Sequence, residues 1–276
     1  MGALFVACAG SAALVACGGG GGDSPAAPAP APAPAPAPSP TPGPAPAPSP
    51  APATAAPGGL YVGAYQEDPL SNPEDPEPGT LYFVLPAGDA AFSGSMYFTF
   101  VGCQTESVGA ISGSKTSNTL DGTWSGNVDG TSQSGSYAGH YESAGGFYAG
   151  TYTNAKGKQR IVIPGCINYY IAPNGTWEVF PVGTSVPATF TLSVAGNSIS
   201  WTPPVGTVLE LVSVIDESAA LSGVGNATRY QSLTKANTLN LAAIPGLVAG
   251  KTYVVQVTAR SSTFGRLGVS SAKAVR

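Results

Sequence analysis

From residue 59 onward the chain alternates. Apolar or glycine positions swap with polar ones at every step over short runs, the period of a β-strand with one buried face. The clearest case is a repeat of the form Gly-x-Tyr-x-Gly-x-Tyr at residues 59–65, 135–141 and 146–152. A variant at 122–128 puts Trp124 and Val128 where the others have tyrosine. Its copy and the two that follow start 13 and 11 residues apart, the pitch of successive strands in an antiparallel meander. Residues two apart share a strand face, so glycine and ring alternate along one face. A bare glycine weakens a strand, and a ring on the neighbouring strand restores the packing. Further strands are predicted at 80–85, 95–101, 108–112, 159–163 and 169–171. Together they make a small antiparallel meander that can curl into a barrel over residues 58–180.

The same period continues in residues 184–276. Strands are predicted at 187–194, 198–201, 208–215, 229–233, 238–241 and 253–259, a spacing that suits a β-sandwich. The segment Leu247-Val-Ala-Gly-Lys-Thr-Tyr-Val-Val-Gln-Val-Thr-Ala259 resembles the L-x-x-G-x-x-Y-x-x-x-V-x-A stretch of fibronectin type III domains, and Ile199-Ser-Trp201 resembles that family's second strand. The resemblance implies an immunoglobulin-like sandwich. Tyr253 would make the tyrosine corner, and Trp201 would pack in the core. The expected fold class is therefore all-β: a meander or barrel, then a sandwich.

The chain before residue 58 follows neither pattern. Residues 3–16 are almost wholly apolar, too short a run to span a bilayer but the right length for a secretory signal. They end in Leu14-Val15-Ala16-Cys17, followed by Gly18, which resembles the lipobox of bacterial lipoproteins. The resemblance implies that residues 1–16 are removed and that Cys17 carries the lipid. It also places the protein in the cell envelope, anchored at the outer membrane, on its periplasmic or surface side. Acyl chains hold firmly because each buried CH₂ contributes about 0.8 kcal/mol. No Lys or Arg precedes the apolar run, a departure that is explained if Met1 lies inside a longer reading frame. Cleavage at Cys8 would leave almost no apolar segment. Residues 17–57 then form a stalk, a glycine run followed by alternating Ala and Pro. Proline fixes φ and lacks the amide donor, so this segment is expected to be a disordered, extended spacer. The Gly-Tyr repeat looks like the curled barrels of bacterial surface lipoproteins such as the transferrin-binding and factor-H-binding groups.

Charge and cysteine refine this picture. Residues 58–180 carry eleven acids and four bases, whereas 181–276 carry three acids and seven bases. The latter bases (Arg229, Lys235, Lys251, Arg260, Arg266, Lys273 and Arg276) are spread singly, as on a solvated surface, and no nucleic-acid partner is expected. With Cys8 removed and Cys17 acylated, Cys103 and Cys166 remain. In an oxidising compartment they are expected to pair, closing a loop whose entropy is worth roughly 4 kcal/mol. Two free thiols are the alternative.

The residues offer little chemistry. There is one histidine, His140, placed opposite the tyrosine face of its strand, and no G-x-S-x-G elbow, P-loop or zinc spacing. The acidic run at residues 67–77 lacks EF-hand spacing and reads as a solvated loop. No catalytic, cofactor-binding or metal-ligating residue is named, and no cofactor is expected. The leading expectation is a binding or scaffolding module contacting an envelope protein or glycan through membrane-anchored Cys17. The tyrosines are either its contact surface or its core. An envelope hydrolase acting on glycan or peptide, and a purely structural spacer or adhesin component, are the alternatives.

Overall fold

A computed structural model describes residues 56–69, 78–100, 105–128, 130–162, 168–223 and 225–276. The first half is built from β1 (Gly59–Glu67), β2 (Pro78–Leu85), β3 (Ala90–Phe100), β4 (Thr105–Thr116), β5 (Thr119–Val128), β6 (Thr131–Glu142) and β7 (Phe147–Asn154). A short hairpin follows, β8 (Gln159–Val162) with β9 (Asn168–Ile171), and then β10 (Asn174–Pro181). Strands β1 to β7 and β10 form a closed barrel in which β1 pairs with both β2 and β10. An eight-stranded barrel has an interior that side chains can just fill.

The Gly-Tyr repeat is the rule by which this interior is filled. Several of the large inward residues lie in register with a glycine on a neighbouring strand. Tyr137 faces Gly122, which itself faces Gly113. Trp177 faces Gly150, which faces Gly139. Trp124 faces Gly135, Phe83 faces Gly94, and Tyr65 faces Gly79. A Cβ at Gly113 or Gly122 would collide with the Tyr137 hydroxyl, and one at Gly139 with the Trp177 indole. Both indoles finish by donating to β7 carbonyls, Trp124 Nε1 to Thr153 O and Trp177 Nε1 to Thr151 O, each at 3.0 Å.

Both ends of the barrel are closed. At one, the β8–β9 hairpin brings Ile161 into the core beside a side-chain network in which Gln159 Nε2 donates to Gln133 Oε1 at 2.7 Å. At the other, the buried Lys115 ammonium donates to the carbonyls of Ala56, Pro86 and Ala87 at 3.1–3.4 Å. This ties the chain entering from the Pro/Ala segment to the β2–β3 turn.

The second half comprises β11 (Ser185–Val186), β12 (Ser193–Ala195), β13 (Ser198–Ser200), β14 (Leu209–Asp216), helix α1 (Glu217–Ser222), β15 (Thr228–Thr234), β16 (Thr238–Asn240), β17 (Thr252–Arg260) and β18 (Arg266–Val275). A five-stranded sheet, β11-β18-β17-β14-β15, packs one face on the three-stranded sheet β12-β13-β16. Phe190, Ile199, Trp201, Val212, Tyr253 and Val255 belong to the core between them. The Tyr253 hydroxyl accepts the Val248 amide at 2.7 Å, and Trp201 Nε1 donates to Glu210 Oε1 at 2.9 Å.

The other face of the five-stranded sheet lies on the outside of the barrel. Leu60, Val62 and Tyr82 meet Ile215, Ala220, Ala227 and Val254. Polar groups lock the seam. Thr80 N and Oγ1 both donate to Gln231 Oε1, and Gln256 Nε2 donates to Val62 O at 2.8 Å.

Several expected elements need correction. Residues 187–194 are not one strand. Pro187 lacks an amide, and the Phe190 amide turns back onto its carbonyl at 2.9 Å, leaving only Ser193–Ala195 paired. Strand β13 ends at Ser200, and Leu241 begins a 3₁₀ turn. Strands β10, β11 and β18 and helix α1 are absent from the expected set. Val101 and Ile163, at the ends of two predicted strands, lie outside the described residues.

Candidate functional site

The tyrosines of the Gly-Tyr copies face inward. Tyr61, Tyr137, Tyr148 and Tyr152 are buried in the barrel core, Tyr61 edge-on to Tyr148 and Tyr137 edge-on to Trp177. Burial pushes their phenols up, Tyr148 to about 12 and Tyr152 well above the ordinary value. Two spaces among these rings measure about 20 and 50 Å³, room for a water or so and for no organic ligand. The rings therefore serve as packing.

Cys17, Cys103 and Cys166 lie outside the described residues, as do residues 70–77 of the acidic run. Glu67, at the start of that run, is buried at the end of β1 and accepts the Ala172 amide through Oε1 at 3.2 Å. His140 points outward from β6 and pairs with Glu142 at 2.8 Å, both well exposed. No group of three or more His, Cys, Asp or Glu side chains suited to a metal ion occurs among the described residues.

Two roomier openings lie outside the barrel, where the second half leans on it. The larger, about 770 Å³, lies over the outward faces of β3 to β6 and is bounded by the segment around α1. Its wall is hydroxyl- and amide-rich: Ser95, Ser125, Asn127, Ser134 and Asn226, with Lys156 at the edge. A smaller cleft of about 380 Å³ opens on the other side, between β10 and the β17–β18 hairpin, and contains Glu178, Arg260 and Arg266. Protein-family models, curated proteins and solved structures give no match to this chain.

Two sets of charged residues were not legible as more than surface. Asp216 is buried at the N-cap of α1. It accepts from Ser218 Oγ at 2.7 Å, Ala219 N at 3.1 Å and Lys251 Nζ at 3.1 Å, with Arg229 at 3.6 Å. Burial pulls its pKa upward, but these donors overcome it and hold the carboxyl at about 2. Arg260, expected on a solvated surface, is only 4% exposed. It ends β17 and lines the cleft between the β17–β18 hairpin and β10. No local sequence signal distinguishes it from the exposed bases.

Proposed function

We propose that this chain is a membrane-anchored envelope lipoprotein that binds a partner on the outside of a solid β-barrel. The anchoring half rests on Leu14-Val15-Ala16-Cys17 and on the Ala/Pro segment after it, which suits a spacer. The binding half rests on one observation: rings fill the barrel interior, and the roomy opening lies over the outer face of β3 to β6. Serine hydroxyls and asparagine amides there suit a polar partner such as a glycan or a protein backbone. The described lining of that cleft includes no carboxylate, which favours binding over hydrolysis by paired acids.

Metabolic labelling with a palmitate analogue, followed by crosslinking capture from outer membranes, tests both halves. The wild-type chain should take the label, and Cys17→Ala should lose it. A captured envelope partner should be lost with Ser134→Trp, which fills the cleft from an exposed position. An unlabelled chain recovered from the cytosol, or a partner indifferent to Ser134→Trp, would overturn the respective half.

A further inference from the structure

Arg260 and Arg266 are cross-strand partners at the tip of the β17–β18 hairpin. Like charges directly opposite one another destabilise a strand pair. Here one carboxylate serves both, and it is committed. Glu178 Oε2 accepts from Arg266 Nε at 2.7 Å, while the Arg266 guanidinium stacks over Phe147 and Phe180, 5.1 Å from each ring centre. Among the described residues Arg260 forms no salt bridge of its own, and Glu178 acts on it only at longer range. Its Nη1 donates to Phe264 O at 2.8 Å, and its Nε is buried without an acceptor among the described residues. The remaining nitrogen, Nη2, has no protein acceptor among the described residues. A buried guanidinium whose nearby carboxylate is already engaged by another base is costly, and burial lowers its pKa although Glu178 opposes this. Both arginines line the 380 Å³ cleft together with the hydroxyl-bearing Thr176 and Thr263. Among the described lining residues the charges are two arginines against Glu178, an excess of one positive.

We propose that this cleft between β10 and the β17–β18 hairpin binds a small oxyanion, a phosphate or carboxylate group, held by the free guanidinium edges of Arg260 and Arg266. A planar fork of N–H donors matches two oxygens of such a group, and the aromatic bed under Arg266 holds one fork in place beforehand. The inference does not depend on the anchoring or partner reading.

The test is titration of the purified full chain with inorganic phosphate, and in parallel with acetate, against chloride at constant ionic strength. Binding is read by calorimetry and by melting temperature. The wild-type chain should give a saturable response to at least one oxyanion and none to chloride. A response to phosphate alone identifies a tetrahedral occupant, and one to acetate alone a carboxylate. Arg260→Met should abolish the saturable response while melting higher than wild type in anion-free buffer, because the unpaired charge is gone. Glu178→Gln releases Arg266 and should tighten binding by at least about threefold, as expected when a competing carboxylate is removed. No saturable response in the wild type, or an equal one in Arg260→Met, would overturn the site. If Arg260→Met does not fold, Glu178→Gln decides alone: unchanged or weaker binding overturns the proposal.

Discussion

The inside of the barrel and the seam outside it are built on opposite principles. The interior is a closely packed lattice in which one local pairing, ring opposite glycine, recurs from strand to strand. Its contacts join neighbours in an antiparallel meander. The seam joins residues far apart in the chain, Thr80 to Gln231 and Val62 to Gln256, through individually placed polar groups. The lesson is that a conspicuous aromatic repeat marks a scaffold here, while the openings lie on the barrel's outer side, which the rings do not mark.

The largest effect that would break this contrast is at Gly139. A Cβ there meets both the Ala149 carbonyl and the Trp177 ring, so Gly139→Val should destabilise the fold by at least about 3 kcal/mol, read from denaturant melts. A tolerated valine would mean that the interior has slack.

On the seam side, Asp216→Ala removes the helix cap and strands Lys251 and Arg229. It should cost about 2–3 kcal/mol near neutral pH. Because the folded-state pKa is depressed to about 2, this contribution is present above the ordinary carboxylate value of 3.8 and drains away as pH falls toward 2. The gap between wild type and variant should therefore close in acid. A gap constant from pH 7 to 2 would show that the charge is irrelevant.

Smaller effects sharpen the same contrast within the sandwich. Tyr253→Phe leaves the Val248 amide without its acceptor and should cost about 1–2 kcal/mol in the same melts. Glu210 lies buried beside Trp201 with Oε2 unpartnered, and burial raises its pKa although the Trp201 hydrogen bond opposes this. A raised carboxyl pKa means that stability falls as pH rises above the unfolded-state value near 4.5. Glu210→Gln keeps an acceptor for the indole and should raise the melting temperature at pH 7 by about 2–4 °C, with little change at pH 4.

What the sequence made legible follows the same division. Strand β6 could be read because Gly135, Tyr137, Gly139 and Tyr141 repeat a motif found elsewhere in the chain. Strand β18 could not, since its buried run Gly268-Val-Ser-Ser271 packs small polar residues between neighbours on both faces, and Ser270 and Ser271 look exposed in isolation. Strand β10 carries the alternation Gly175, Trp177, Val179, yet it contributes only one glycine and follows an inserted hairpin. Helix α1 had its signals in Asp216 and Gly223, an N-cap and a left-handed C-cap, but six residues give no period to detect. The clefts were out of reach altogether. Arg260 and Glu178 are separated by most of the second half, and only the docking of the sheet on the barrel brings them to one opening.

The most direct test of the scaffold claim is a double-mutant cycle at Tyr65 and Gly79, a cross-strand pair where the atoms nearest an added Cβ all belong to the Tyr65 ring. Gly79→Ala should be strongly destabilising with Tyr65 present and nearly harmless once Tyr65→Ala has made room. The coupling should be at least about 1 kcal/mol, well beyond the additivity of independent sites. Additive effects would mean that the ring does not rest on the glycine, and that the tyrosines need another explanation.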